Sequence, residues 1–211
     1  MKCIHLIIVI MIISCTNSTD KNKKTDRENY TFQAITDSTF YAANFQSLII
    51  DLPKMFSYRD EFISHDSTLL YTSFMSKDSL LIGTLNPEGF RVYKNIDSLN
   101  NYIDIKIEIF DKKIIPDDTI YLKKELRVFK EKILSEYTNS KALSQSISFY
   151  KNLATINYKT RTSNWFLHYK CFYFNDKKIE VEYIVGQKNV VIDFKKHEIE
   201  SEKIINSIRF K

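Results

Sequence analysis

The sequence predicts an α+β fold in which an antiparallel β-sheet is flanked by helices, and two patterns indicate it. Short runs with an apolar residue at every second position recur along the chain, as in strands that bury one face. Two longer segments, residues 119–137 and 193–210, repeat apolar residues at helical spacing. Many strands with helices at two fixed points are typical of a layered α+β sandwich.

Residues 1–14 have the composition of a secretory signal peptide. One cation, Lys2, precedes an unbroken apolar run over residues 6–13, which closes on the small residue Ser14. A bilayer core of about 30 Å needs roughly 20 apolar residues to be spanned by a helix. The run is too short for that, so we expect it to be removed from the mature protein.

Residues Ile12, Ile13, Ser14 and Cys15 resemble a bacterial lipobox. In that motif a small residue precedes a cysteine that is diacylated on sulfur and then exposed by signal peptidase II. The resemblance implies lipid attachment at Cys15 and makes the membrane a partner through acyl chains. The alternative is an ordinary signal peptide with an accidental cysteine at its boundary.

Residues 15–29 are predicted to be a disordered tether. No apolar residue stands between Cys15 and Tyr30, so this stretch can bury nothing. Residues 30–211 are then long enough for a single domain with a substantial core. The expected organisation is a folded body that stands off an exported, lipid-anchored N-terminus, on the periplasmic or surface face of a bacterial membrane.

The charge balance argues against nucleic acid as a partner. The chain carries 31 Lys and Arg against 26 Asp and Glu, a net charge of +5. Lys and Glu are interspersed through most of the body, which is typical of a solvated surface and not of a basic stripe.

Cysteine usage predicts no disulfide. Cys3 lies in the segment expected to be removed and Cys15 would be acylated, so Cys171 is left without a partner. Cys171 stands in a strand-like aromatic run, where a buried, inert thiol is expected. A catalytic thiol would need an electropositive, partly exposed site.

Strand signals follow one another through the first half of the body. The predicted strands are residues 45–53, 67–75, 79–85 and 101–110. Pro53 closes the first strand, and residues 76–78 and 86–89 have the composition of turns. Residues 57–66 are polar and mixed, and are predicted to be a connection with some extended character. Residues 101–110 alternate Ile with charged residues, which is the clearest strand signal in the chain.

The second half predicts a helix, four strands and a closing helix. The apolar residues Leu122, Leu126, Phe129 and Ile133 give residues 119–137 one apolar face, which should lie on a sheet. The four strands are predicted at residues 142–150, 154–161, 165–174 and 178–185. Residues 175–177 form a tight hairpin between the last two.

This second half, residues 117–210, resembles the C-terminal half of PsbP-like proteins, a family named for an extrinsic subunit of photosystem II. The order of elements and the closing "EKIINSIRF" carry the resemblance, and "FQSLIIDLP" is similar to the family's early strand and proline. It implies a PsbP-like α/β/α sandwich without a catalytic motif. Bacterial members include many small exported lipoproteins, and the fold hosts unrelated roles.

The histidines do not have the spacing of a metal site, and no cofactor is predicted. His65 beside Asp66 could act as a base, but a turn role for the carboxylate is favoured. His168 follows an apolar run on a predicted strand, where a satisfied or surface histidine is usual. No nucleophile elbow, P-loop or dinucleotide fingerprint occurs, so no catalytic residue is predicted.

The aromatic residues of 165–174 leave two alternatives open. Trp165, Tyr169 and Tyr173 share one strand face, and Phe166, Phe172 and Phe174 share the other. An exposed face could stack sugars or hold a partner. The favoured alternative is that the two helices cover both faces.

Together these patterns predict a non-catalytic, membrane-anchored accessory or binding module of the bacterial cell envelope, with an envelope protein as its partner. The alternative is a cell-envelope hydrolase or carbohydrate-active enzyme. A third reading is a purely structural envelope protein. Exposed aromatics or a cleft with convergent polar residues would separate these classes.

Overall fold

The computed structural model describes residues 34–46, 48–76, 83–85, 91–93, 100–114, 119–136, 138–150, 153–186 and 192–210. The strands in these ranges are β1 (Phe40–Phe45), β2 (Leu48–Pro53), β3 (Phe56–Ile63), β4 (Leu69–Ser76), β5 (Gly83–Leu85), β6 (Arg91–Tyr93), β7 (Asn100–Ile109), β8 (Lys141–Tyr150), β9 (Leu153–Arg161), β10 (Trp165–Phe174), β11 (Lys177–Gly186) and β12 (Arg209–Phe210). The helices are α1 (Thr119–Glu136) and α2 (Phe194–Asn206).

Most of these strands form one antiparallel sheet of seven strands in the order β3-β4-β7-β11-β10-β9-β8. A second antiparallel sheet of three strands has the order β1-β2-β12, and β5 pairs with β6. In the large sheet the register places residues of neighbouring strands opposite each other, so each face can be followed across all seven strands.

The first face of the large sheet carries the main core. Ile103, Ile105 and Ile107 of β7 are fully buried on this face against the small sheet and α2. Each fully buried side chain of this size contributes roughly 1.5–3 kcal/mol to the free energy of unfolding. The small sheet and α2 together therefore form the second layer of the domain.

The opposite face is covered by α1 over β8, β9 and β10. Leu122, Leu126 and Ile133 of α1 are buried against Tyr158, Tyr169 and Tyr173 of the sheet. The Phe129 ring stacks on Tyr169 with ring centroids 3.7 Å apart. This contact uses the apolar face that the sequence predicted for the helix.

The C-terminus is held to the small sheet by an ion pair. Arg209 donates from Nη1 and Nη2 to the two carboxylate oxygens of Asp51, each at 2.7 Å, and the Ile35 N–H donates to Asp51 Oδ2 at 2.8 Å. Burial would raise the pKa of Asp51, but these hydrogen bonds outweigh it and hold the pKa below its usual value. The pair fixes β12 beside β2.

The prediction of an α/β/α sandwich is wrong. The described chain is mostly β, with two packed antiparallel sheets and two helices, and α2 shares its side of the molecule with a sheet. The physical reason lies in residues 40–53 and Arg209–Phe210, which pair into the small sheet where the prediction placed only a helix. An antiparallel sheet with helices against it is present, but it is one of two sheet layers.

Several element predictions are confirmed. The structure contains the strand predicted at residues 101–110 as β7, the four strands of the second half as β8 to β11, and both helices. The strand predicted at residues 67–75 is β4, and the one predicted at residues 45–53 is the shorter β2.

Other element predictions are wrong. Residues 57–66 were predicted to be a connection with some extended character, but most of them lie in a paired strand, β3, beside β4. As the end strand of the sheet, β3 can carry polar residues that a central strand would bury. The predicted hairpin between residues 67–75 and 79–85 is replaced by pairing of β4 with β3 and β7. Residues 77–78 and 86–89 of the two predicted turns lie outside the described residues.

None of the helices in the described ranges combines the length and apolar character that crossing a bilayer requires.

Candidate functional site

The residue on which the anchoring prediction rests, Cys15, lies outside the described residues. Lipid attachment at Cys15, the signal peptide of residues 1–14 and the tether of residues 15–29 therefore stay predictions. The sites that the structure can describe all belong to the folded body.

The His65-Asp66 pair forms a turn. Asp66 Oδ1 accepts hydrogen bonds from Ser64 Oγ at 2.6 Å, from Thr68 Oγ1 at 2.8 Å and from the Thr68 N–H at 3.1 Å. These bonds lower the pKa of Asp66 to about 2. These hydrogen-bond partners of Asp66 all lie within two residues of it, which confirms the turn role favoured from the sequence.

The aromatic faces of β10 are buried, not displayed. Tyr169 is 3% exposed and Tyr173 is 1% exposed beneath α1, while Phe166 and Phe172 are fully buried on the opposite face. A stacking platform for sugars needs open rings, so β10 does not provide one. The alternative of covered faces is confirmed, with the small sheet sharing the role given to α2.

Cys171 is fully buried on the α1 side of β10. Burial raises the pKa of the Cys171 thiol far above its usual value, and the neighbouring Glu180 raises it further. A thiol that stays protonated is a poor nucleophile, so the expectation of an inert thiol is confirmed.

His168 sits at the centre of a buried polar cluster between β9, β10 and α2. Its Nδ1 lies 2.9 Å from Ser201 Oγ and its Nε2 lies 2.8 Å from Asn157 Oδ1. Burial lowers the pKa of His168 well below its usual value, and Lys159 and Lys170 lower it further. Ser201 Oγ also donates to the Glu198 carbonyl at 2.9 Å, so the serine hydroxyl, the imidazole and the Asn157 amide form one hydrogen-bonded chain.

Ser201, His168 and Asn157 have the residue types of a hydrolytic catalytic triad, but they do not form an accessible active site. Ser201 is fully buried and His168 is 1% exposed, so no substrate can reach the hydroxyl in this conformation. The hydrogen bonds of this cluster hold α2 against the sheet. Lys159 Nζ adds ion pairs to Glu198, at 3.4 Å, and to Glu202 of the same helix. Its chemistry is structural, as expected for a satisfied core histidine.

An acidic row lies on the α1 side of the sheet, next to the helix. Ser73 of β4, Asp104 of β7 and Glu182 of β11 are directly opposite one another in the register, with neighbouring Cβ atoms roughly 4.5–5.5 Å apart. Burial raises the pKa of Glu182 to about 8, and Asp104 adds to the rise. Ser73 is fully buried, and in the described part of the chain its hydroxyl has no hydrogen-bond partner.

Glu180, two residues earlier on the same face of β11, behaves in the opposite way. Lys178 and Lys106 lie 3.5 and 3.3 Å from its carboxylate, and Tyr169 donates a hydrogen bond to it at 2.8 Å. Burial would raise the pKa of Glu180, but the two lysines outweigh it and lower the pKa. Because of its lysine neighbours, Glu180 is ionised at neutral pH, whereas Glu182 is protonated.

The most open part of the domain is the outer side of β8. Among the described strands β8 has one neighbour, β9, because it ends the seven-stranded sheet. Seven of its ten residues are exposed, whereas none of the residues of β9 is. Leu143 and Phe149 are 37% and 39% exposed, so this end strand presents apolar side chains to solvent.

A basic stripe of α1 runs beside this edge. Lys123, Arg127 and Lys130 follow at the i, i+4 and i+7 spacing of one helical side. Lys130 Nζ donates to Gln145 Oε1 of β8 at 3.1 Å, which identifies this side of α1 as the one nearer β8. Arg127 also has an exposed contact with Glu131, at 3.8 Å.

No group of three or more His, Cys, Asp or Glu side chains suited to hold a metal ion occurs within the described residues.

Sequence reasoning missed both the acidic row and the open edge. The row could not be found because it depends on the pairing of β4, β7 and β11, which are separated by long stretches of chain. The edge left a weak signal in "SQSIS", where serines alternate at the centre of a strand. A strand with few large apolar residues on either face is typical of the end of a sheet.

Comparisons with known proteins found similar structures but no matching family. No family model matches the chain, and no curated protein matches it. Four chains among the solved structures match. One is the immunity protein TplEi of T6SS from Pseudomonas aeruginosa, complexed with "L" peptide, with a TM-score of 0.43 and 8% identity over 82% of this chain and 98% of that chain. A similarity at this TM-score carries no inference about the present chain.

Proposed function

We propose that this chain is a membrane-anchored bacterial lipoprotein that acts as a non-catalytic accessory or binding module of the cell envelope. The lipobox-like residues 12–15 support the anchor, with acyl chains on Cys15. The tether of residues 15–29 would let the folded body reach a partner near the membrane surface.

The observation that carries the binding role is the open edge at β8. It combines the position of β8 at the end of the sheet, as the described strands show it, with the exposed side chains of Leu143 and Phe149. Cys171, His168 and Ser201, which have nucleophilic or basic side chains, are by contrast buried in the core. The accessible chemistry of the described domain is therefore that of an interaction surface.

The test is cross-linking of the lipidated protein in living cells, followed by mass spectrometry, with Cys15→Ala as the control. The wild type is expected in the membrane fraction with a reproducible protein partner. Cys15→Ala is expected to lose membrane retention and lipoprotein processing, and with them the partner. Unchanged fractionation of Cys15→Ala would contradict the anchor, and a wild type without any partner would contradict the binding role.

A second candidate, an envelope hydrolase, is favoured by the Asp104–Glu182 pair alone. Glycoside hydrolysis uses two neighbouring carboxyl groups, one of them protonated, and Glu182 stays protonated at neutral pH with the Asp104 carboxyl beside it. Release of reducing sugar from purified peptidoglycan, compared between the wild type and Glu182→Gln, tests it. Activity that Glu182→Gln abolishes would replace the binding role with this one.

A further inference from the structure

We infer that β8 binds an extended, acidic segment of a partner protein, which adds to the seven-stranded sheet as an eighth strand. This inference rests on the proposed binding function and names its surface and the chemistry of its partner. Its three supports are the position of β8 at the end of the sheet among the described strands, the weak protection of that end, and the charge of the helix beside it.

The backbone of β8 supplies the affinity. In an antiparallel pair every second residue directs its N–H and C=O towards the neighbouring strand and the next residue directs them away. About half of the residues of β8 therefore direct their backbone groups away from β9. Strand addition to such an edge is a common way of binding extended peptides.

The two ends of the sheet are protected to different degrees. β3, at one end, includes Arg59, Asp60 and Glu61 among its eight residues, and charges of this kind discourage another strand from pairing. β8 has one charged residue, Lys141, and no proline. Its one irregularity is the register shift between Ala142 and Ser144, which leaves the stretch from Ser144 to Tyr150 regular.

The charge beside β8 selects an acidic partner. A strand added to β8 would place every second side chain on the α1 side of the sheet, next to Lys123, Arg127 and Lys130. Acidic residues at alternate positions would meet these cations there. Phe149, exposed on the same side as the partly buried Ile147, would contact an apolar residue at one end.

The other side of the added strand calls for different residues. Ser144, Ser146 and Ser148 lie on this side, opposite Lys159, Asn157 and Thr155 of β9. Lys159 is already engaged by Glu198 and Glu202 of α2, so carboxylates on this side would meet other carboxylates. We therefore expect small or hydroxyl side chains to alternate with the acidic ones.

A second copy of this chain fits the edge less well than an acidic segment. An antiparallel pair of β8 strands would keep both α1 helices on one face of the joined sheet, so the basic stripe of one copy would approach that of the other. Like charges brought together this way oppose association.

The experiment measures peptide binding to the purified full chain. The probe is a fluorescein-labelled peptide of alternating Thr and Glu, matched to the ten residues of β8, and its control is an alternating Thr and Lys peptide. Fluorescence anisotropy is expected to give binding at least about tenfold tighter for the Thr-Glu peptide. Binding should weaken as salt rises, and the β8 amides should gain protection from hydrogen exchange.

A matched pair of variants on α1 separates the proposed contact from a general charge effect. Lys123→Glu reverses a charge on the side facing β8, and Lys124→Glu makes the same change one residue further round, on the solvent side. Lys123→Glu is expected to weaken binding of the Thr-Glu peptide about fivefold. Lys124→Glu should leave the binding nearly unchanged.

Other outcomes would overturn the inference. They are absence of saturable binding, equal binding of the two peptides, equal loss in both variants, or protection of amides outside β8. Protection of β8 that rises with protein concentration without peptide would assign the edge to a second copy instead. A partner cross-linked in cells away from β8 would overturn this inference and leave the proposed function intact, whereas a chain with no partner would overturn the proposed function itself.

Discussion

At the scale of single residues, the neighbours of a buried carboxyl group decide whether that group is ionised. Glu180 and Glu182 stand two positions apart on the same face of β11, and burial favours the protonated form of each. Glu180 has Lys178 and Lys106 beside it, while Glu182 faces Asp104, with Glu180 and Glu136 nearby and Lys132 as its cation. The same residue type is therefore ionised at one position and protonated at the other.

Glu182 predicts a distinctive dependence of stability on pH. Its pKa rises from 4.5 to about 8 on folding, so between these values the folded protein holds one proton more than the unfolded chain does. The contribution of Glu182 to the free energy of unfolding is fully present below about pH 4.5 and is lost as pH rises through about 8. Glu182→Gln should remove this loss, so the variant gains free energy of unfolding relative to the wild type from pH 5 to pH 9.

Urea denaturation at pH 5, 7 and 9 measures this difference. Glu131→Gln, the same chemical change at an exposed position of α1, serves as the control and should shift stability equally at the three values. A difference between Glu182→Gln and the wild type that does not change with pH would show that Glu182 titrates normally.

At the scale of elements, α1 is an amphipathic helix whose two sides have different roles. Leu122, Leu126 and Ile133 bury one side against the tyrosines of β9 and β10. Lys123 and Arg127 belong to a second side that lies beside β8. The helix thus covers the sheet and sets the charge of the edge next to it.

The buried side of α1 gives a stability prediction with a matched control on the same helix. Leu126 is 8% exposed and Leu134 is 47% exposed. Leu126→Asp should lower the free energy of unfolding by at least about 3 kcal/mol, because it leaves an unpaired charge in the core. Leu134→Asp should change it by less than about 0.5 kcal/mol.

Thermal or urea unfolding followed by circular dichroism compares the two variants. Equal stability of Leu126→Asp and Leu134→Asp would contradict the packing of α1 on the sheet.

At the scale of the whole molecule, the elements were more predictable than their assembly. The strand at residues 101–110 and the helix at residues 119–137 were found because their periodic patterns are local and several residues long. β12 has two residues and no pattern of its own, and it forms because Arg209 reaches Asp51 from 158 residues away. Sequence patterns carry no signal for such a pairing, which is why the small sheet and the true layer order were missed.

The candidate surface was hidden for the same reason. A strand pattern does not reveal whether the strand lies at the centre or at the end of a sheet, since this depends on the order of all seven strands. Burial of Cys171, in contrast, was expected from the apolar residues around it.

The claim that the outer side of β8 is the functional surface is tested most directly by site-specific photo-cross-linking in living cells. Benzoylphenylalanine replaces Phe149 of β8 in one strain and Ile199 of α2 in another; both residues are exposed and apolar, at 39% and 52%. A single reproducible partner cross-linked from position 149 and not from position 199 is the predicted result. Cross-linking of the partner from position 199 alone, or equally from both positions, would contradict the assignment of β8 as the binding edge.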